Sequence, residues 1–240
     1  MKKSLLFVRG LLYPIAPFLF PCKVMDKDKY QKFDNGQLII TNHLSWMDVA
    51  YEVFWIPGYK RFLSKKENEG KGIKRWFLKK VVGVIFVNRD KPELSSMREV
   101  ISSLQGGEAL TVFPEGTRNK VDRSLQPLHS GSALFALRSG VSIVPIVVHH
   151  KGKFFKRNYL GVGDRVYLDD LVGKRVDEAT LEKATERFRE AMQKTLDKLD
   201  DWVERKGWKE DKKRKKEEKR QLKKMYKLAK RDYAASKNSK

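Results

Sequence analysis

Short apolar runs recur along the chain, separated by polar stretches of helical period. Six runs have the length and residue types of strands: QLII (37–40), RFLS (61–64), GVIFV (83–87), ALTVF (109–113), SIVPIVV (142–148) and RVYL (165–168). Between them, residues 46–55, 72–80, 93–104 and 130–139 read as helices. Strands alternating with helices predict an α/β fold with a mostly parallel central sheet flanked by helices. Further on, Leu181, Ala184, Phe188, Ala191, Met192, Thr195, Leu196, Leu199 and Val203 recur at three- and four-residue steps across 178–204. That is the apolar stripe of a long helix that closes the domain. From Gly207 the stripe is lost, and KKRKKEEKRQLKKMYKLAKR reads as a basic helical or disordered tail with few apolar residues to bury.

The N-terminus, MKKSLLFVRGLLYPIAPFLFPC, has the basic start and apolar stretch of a secretory signal. Arg9 interrupts the run, Pro14, Pro17 and Pro21 break a continuous helix, and no small-x-small cleavage site follows. The uninterrupted apolar part, residues 10–22, falls short of the roughly 20 residues a membrane-spanning helix needs. It reads as an interfacial anchor with Lys2, Lys3 and Arg9 toward anionic headgroups; the alternative is an element packed on the protein's own core. The expected organisation is an N-terminal membrane anchor (1–30), an α/β domain (31–206) and a basic tail (207–240).

Charge adds a partner class. The 240 residues carry a formal net charge of +22, and residues 201–240 hold 17 Lys/Arg against 7 Asp/Glu. Such an excess calls for an anionic partner: a membrane surface, nucleic acid or a phosphorylated ligand. Aromatic residues do not interleave with the basic runs and no nucleic-acid motif is present, so nucleic acid is not expected. The single Cys22 forbids an intrachain disulfide and a zinc-type cysteine pair, which fits a reducing compartment. Together these place the protein peripherally or monotopically on the cytoplasmic face of the cell membrane.

Two polar motifs follow apolar runs, where open α/β sheets bind ligands. The first, TNHLSWMD (41–48), carries His43 and Asp48. Five residues apart on one helix, they would point about 140° away from each other. They meet only if the helix starts between them, with Ser45 as N-cap and Asp48 at the third helical position. His43 then lies in the loop, its Nδ1–H on the carboxylate and its Nε2 free as a base. The alternative is a capping-box variant beside an ordinary loop histidine. The second motif, FPEGTR (113–118), has a Pro114–Gly116 turn with Gly116 free to take positive φ, and Arg118 whose planar fork suits phosphate. A plain turn with a solvated arginine is the competing reading. His149 and His150 follow the SIVPIVV run; neighbours on a strand face opposite ways, which makes them a poor metal pair.

Taken together, NHLSWMD followed some 70 residues later by FPEGTR resembles the glycerophospholipid acyltransferases, specifically the lysophosphatidic acid acyltransferases. SKKE (64–67), GVIFVNR (83–89) and IVPIVV (143–148) resemble further blocks of that family in the same order, and the likeness covers roughly residues 35–150. It implies acyl transfer without metal or cofactor. His43 would be the general base and Asp48 its orienting partner, and the acceptor hydroxyl would attack the thioester directly with no covalent intermediate. Glu115, Gly116, Thr117 and Arg118 would bind the acceptor, Arg118 on its phosphate, with Arg89 and Lys65 adding positive charge. Asn42 and Thr117 would shape the loops. The implied donor is acyl-CoA or acyl-carrier protein, and the implied acceptor the sn-2 hydroxyl of lysophosphatidic acid. Glycerol-3-phosphate or another lysophospholipid is the alternative acceptor, and a non-catalytic basic membrane- or RNA-binding protein the alternative class. A serine hydrolase lacks its G-x-S-x-G elbow. The chain departs from the family pattern at Asn88, where an acid usually precedes the arginine, and at Ser130–Gly131, where a Lys–Gly pair is common.

Overall fold

Short, mostly apolar runs become the strands of one seven-stranded sheet. The computed structural model describes residues 7, 9–30, 36–88, 93–173 and 175–238. Its chain divides into two compact units, Met1–Asp200 and Asp201–Lys240. In the first unit the strands are β1 (Cys22–Met25), β2 (Gln37–Thr41), β3 (Lys60–Lys65), β4 (Val84–Val87), β5 (Ala109–Val112), β6 (Ser142–Val148) and β7 (Asn158–Val162). Their order across the sheet is β1-β7-β6-β2-β5-β3-β4. From β6 to β4 every pairing is parallel; β7 is antiparallel to β6, and β1 runs parallel to β7. β2 sits centrally with all five residues buried, as a strand covered on both faces must be.

The helices are α1 (Ala16–Leu19), α2 (Met47–Trp55), α3 (Gly72–Trp76, continuing as a π-helix over Phe77–Val82), α4 (Leu94–Gln105), α5 (Gly131–Ser139), α6 (Glu178–Glu204) and α7 (Gly207–Asn238). Five of the six expected strands form. RVYL does not; Val166 makes only an isolated antiparallel bridge to Ile143. Two strands were not foreseen. β1 lies inside the stretch expected to be the anchor and is only four residues long, with Lys23 exposed. β7, NYLGV, contains Asn158 and Gly161, residue types depleted in strands. Beyond β7, Gly163 has a reason of its own: a Cβ there would lie 2.1 Å from Thr195 Oγ1, so α6 can approach the sheet end only over a glycine.

Two apolar clusters sandwich α2. One joins Phe20, Tyr51, Phe54 and Ile56 to Ile39, Val144, Ile146 and Leu160. The other sets Phe62, Val84 and Phe86 against Val49, Val53, Leu78 and Val82. Beneath α2, Lys60 is fully buried, and its Nζ donates to the carbonyls of Glu52 (3.2 Å), Ile56 (3.0 Å) and Pro57 (3.4 Å), closing the helix's C-terminal end. Burial pushes the Lys60 ammonium down and the neighbouring Glu52 carboxyl up from their ordinary pKa values.

In the second unit Lys206 takes a left-handed conformation (φ 55°) between α6 and α7. There the Trp202 and Trp208 rings meet edge-on at 5.6 Å, and Trp202 Nε1 donates to Asp211 Oδ2 at 3.1 Å. Among the described residues no helix is long and apolar enough to cross a membrane.

Candidate active site

Parallel pairing of β2 with β5 sets Ile40 opposite Val112, so the loops leaving their carboxyl ends start side by side. TNHLSWMD and FPEGTR, about 70 residues apart in the chain, therefore become neighbours. The His43 ring lies against Phe113 with centroids 4.0 Å apart, and the His43 carbonyl accepts the Asn119 N–H at 2.7 Å.

The expected helix start between His43 and Asp48 is present, one residue later than predicted. α2 begins at Met47, whose N–H is accepted by Ser45 Oγ at 3.0 Å, and Asp48 falls in its first turn. Asp48 is fully buried. Its Oδ2 accepts His43 Nδ1–H at 3.0 Å, the Leu44 N–H at 2.8 Å and the Ser45 N–H at 2.7 Å. One carboxylate oxygen thus ties down the backbone of the turn that enters α2 and holds the histidine ring at the same time. With Nδ1 engaged, Nε2 is the nitrogen left for the cavity that His43 lines.

Three buried polar residues brace this loop and the one opposite. Asn42 is buried and bridges to β6, Oδ1 accepting the Val148 N–H (2.7 Å) and Nδ2 donating to the Val148 carbonyl (2.9 Å). Asn119, likewise buried, pins the opposite loop through Nδ2 to Asp122 Oδ1 (3.0 Å) and the Ser124 carbonyl (2.9 Å). Glu115 was expected on the acceptor; it lies instead beneath the loop, 3% exposed, with Oε1 accepting the His43 N–H at 3.1 Å. Burial pushes its carboxyl up to about 7, against the opposing pull of the His43 and Gln126 backbone groups.

The rest of FPEGTR turns outward. Gly116 takes φ +74° and its N–H closes a turn on the Phe113 carbonyl at 3.0 Å, a conformation that favours glycine. The turn delivers Thr117 and Arg118, both exposed, to the same cavity that His43 lines. Lys65, at the end of β3, reaches it as well. Arg89 lies outside the described residues.

The cavity has a volume of about 950 Å³. Val49, Ala50 and Val53 of α2, Phe62, Val84 and Phe86 of the sheet, and Leu78 and Val82 of the π-helix form an apolar length. Leu12, Ile15 and Leu19 line it from the N-terminal side. Among the described residues its polar lining is His43, Ser64, Lys65, Asn68, Lys74, Thr117, Arg118 and Lys120, and none of these is a carboxylate. An amphiphile with an apolar chain and an anionic head matches both parts. Lys74, Lys120 and Trp46 were not singled out from the sequence; nothing in their spacing marks them, and only the fold brings them to the cavity.

The other histidines form a separate group. His149 and His150 lie just past β6, so strand alternation does not separate them, and their Nδ1 atoms approach to 3.0 Å. Arg123 donates to His149 Nε2 at 2.8 Å and to Asp200 at 2.9 Å. Burial holds the His149 ring down at about 4, which favours its neutral form. No group of three potential metal ligands occurs among the described residues.

Comparison with known proteins bears on the family and the fold. The 1-acyl-sn-glycerol-3-phosphate acyltransferase of Bacillus subtilis is 34% identical over 125 residues, covering 51% of this chain and 60% of that protein. The protein of the same name from Borreliella burgdorferi is 30% identical over 125 residues, 50% of each chain. The chain spans about half the length of the curated relatives it matches. The crystal structure of the 1-acyl-sn-glycerophosphate acyltransferase PlsC from Thermotoga maritima shares the fold, with a TM-score of 0.56 at 20% identity over 82% of this chain and 78% of that one. The family profile described as Acyltransferase matches residues 22–149, from the first residue of β1 to the residue after β6, and so takes in both polar loops. More than half of the sequence lies within that match, and the chain belongs to the Acyltransferase family.

Proposed function

We propose that the protein transfers a fatty acyl chain from an acyl thioester to the sn-2 hydroxyl of lysophosphatidic acid, giving phosphatidic acid. The observation that carries this reading is a His43–Asp48 pair opening on a cavity that is apolar along its length and cationic at its polar end. His43 Nε2 takes the proton of the acceptor hydroxyl as the oxygen attacks the thioester carbonyl. The C–O bond forms, the C–S bond breaks, and the imidazolium returns its proton to the departing thiolate. Asp48, held by two backbone N–H groups, keeps Nδ1 protonated and stabilises the transient imidazolium. Arg118, with Lys65 and Lys120, receives the acceptor phosphate, and the apolar length receives the acyl chain. Glu115 acts from below, through the His43 backbone, rather than on substrate.

The same reading places the protein on the cytoplasmic face of the membrane. Exposed Leu11, Leu12, Ile15 and Phe18 beside the cavity support an N-terminal segment lying in the interface. The test is an acyl-transfer assay with purified protein, offering acyl-CoA and acyl-carrier protein as donors against lysophosphatidate and glycerol-3-phosphate. Product only with lysophosphatidate is the expected result. Product only with glycerol-3-phosphate would reassign the acceptor, and no product with any pair would remove the reading.

A further inference from the structure

The cavity wall made by α3 and the π-helix has an outer side that is exposed among the described residues. Every residue from Lys71 to Phe77 is exposed, and Ile73 (84%), Trp76 (59%) and Phe77 (41%) stand at i, i+3 and i+4. That spacing puts them on one face of the turn, so water meets a contiguous apolar patch. Around it lie Lys71, Lys74, Arg75, Lys79 and Lys80, with no acid between Gly70 and Val82. Glu69 pairs with Arg75 (3.0 Å) and Lys79 (2.7 Å). Among the described residues no carboxylate pairs with Lys71, Lys74 or Lys80. The segment is therefore apolar on one face and cationic beside it. An anionic bilayer satisfies both at once, with a tryptophan at the level where one edge is apolar and the other wet. The segment is also continuous with the site: Lys74, Phe77, Leu78 and Val82 line the cavity from within, whereas Ile73 and Trp76 do not.

We propose that Gly70–Val82 is a bilayer-contacting element distinct from the N-terminal segment. Ile73 and Trp76 enter the headgroup–acyl boundary of an anionic membrane, and Lys71 and Lys80 meet lipid phosphates. The cavity entrance is thereby held against the surface, where an amphiphilic acceptor can enter without crossing water. That consequence for entry rests on the acyl-transfer reading; the lipid contact itself does not.

The test is co-sedimentation of the full chain with phosphatidylcholine vesicles and with phosphatidylcholine–phosphatidylglycerol vesicles. Ile73→Ser/Trp76→Ser should weaken binding to the anionic vesicles roughly tenfold, since two large side chains lose their burial in lipid. Its thermal unfolding and its turnover of water-soluble short-chain substrates should stay close to the wild type, because both side chains are largely exposed and neither lines the cavity. Lys71→Gln/Lys80→Gln should reduce binding to anionic but not to neutral vesicles. Wild-type vesicle binding by Ile73→Ser/Trp76→Ser would overturn the proposal. So would loss of binding to acidic acyl-carrier protein, measured without lipid, while vesicle binding stays intact, since the occupant would then be that protein. Weakened vesicle binding by a chain that transfers no acyl group would keep the contact and discard the acyl-transfer reading.

Discussion

At the scale of single residues, Asp48 concentrates most of the site's demands on one buried oxygen. It accepts two backbone N–H groups and the His43 ring together. Replacing the base and replacing its partner should therefore have different signatures. His43→Ala, at a partly exposed ring, should leave the melting temperature nearly unchanged and lower kcat roughly 10²–10⁴-fold. Asp48→Asn should lower kcat and also cost about 1–3 kcal/mol of stability in urea titrations, because backbone donors lose a charged acceptor. Arg118→Ala should raise KM for a phosphorylated acceptor about 10–100-fold with little effect on KM for the donor; equal effects would argue against a phosphate role.

Glu115 adds a pH signature. Its folded pKa of about 7 lies above the ordinary 4.5, so between those values the folded state keeps a proton that the unfolded state has released. Its contribution to stability is therefore greatest below pH 4.5, declines as pH rises to about 7, and is constant beyond. Glu115→Gln stays neutral and can still accept the His43 N–H. It should match the wild type near the acid end of that window and exceed it by roughly 1–3 kcal/mol above the window, read from melting curves across pH.

At the scale of elements, α2 is set at both ends by side chains the hydrophobic pattern does not announce. Asp48 fixes the turn that leads into it, and the buried Lys60 ammonium closes its end through backbone carbonyls. Lys60→Met should cost roughly 3–5 kcal/mol, because it strands those carbonyls and leaves Glu52 buried without its neighbouring cation. The double change with Glu52→Gln should cost less than the sum of the two single changes. α2 also supplies the apolar wall through Val49 and Val53. Val53→Trp should shift acyl preference toward shorter chains with kcat for the short chain retained, a change read directly from donors of graded length. A longer-chain preference or none would place the chain elsewhere.

At the scale of the whole molecule, charge and patterning act over different ranges. The tail's excess of positive charge is sequence-local, and its described charged side chains are mostly exposed, so its adhesion to anionic vesicles should be electrostatic and salt-sensitive. Deleting 207–240 should weaken vesicle binding at low salt and make little difference at about 1 M, where screening falls to about 3 Å. Apolar insertion by Ile73 and Trp76 should survive that salt, which separates the two contributions in one titration.

How much of this was legible in the sequence follows from the range of each interaction. Five of the strands, the 178–204 helix and the helix start between His43 and Asp48 are written in periods of two and 3.6 and in local capping chemistry, which act within a few residues. β1 and β7 escaped because they are short and carry Lys23, Asn158 and Gly161, and they hold as strands only through each other and β6. The contact between His43 and Asp48 was likewise foreseen from a helix start between them, whereas the proton chemistry proposed for the pair came from the family resemblance and not from their spacing. What only the tertiary structure decided is which groups share that chemistry's space. Parallel pairing of β2 with β5 brings Phe113 onto His43, turns Glu115 inward to the loop and sends Arg118 to the cavity. Those outcomes depend on sheet register and burial, which join residues far apart in the chain, and no local pattern encodes them.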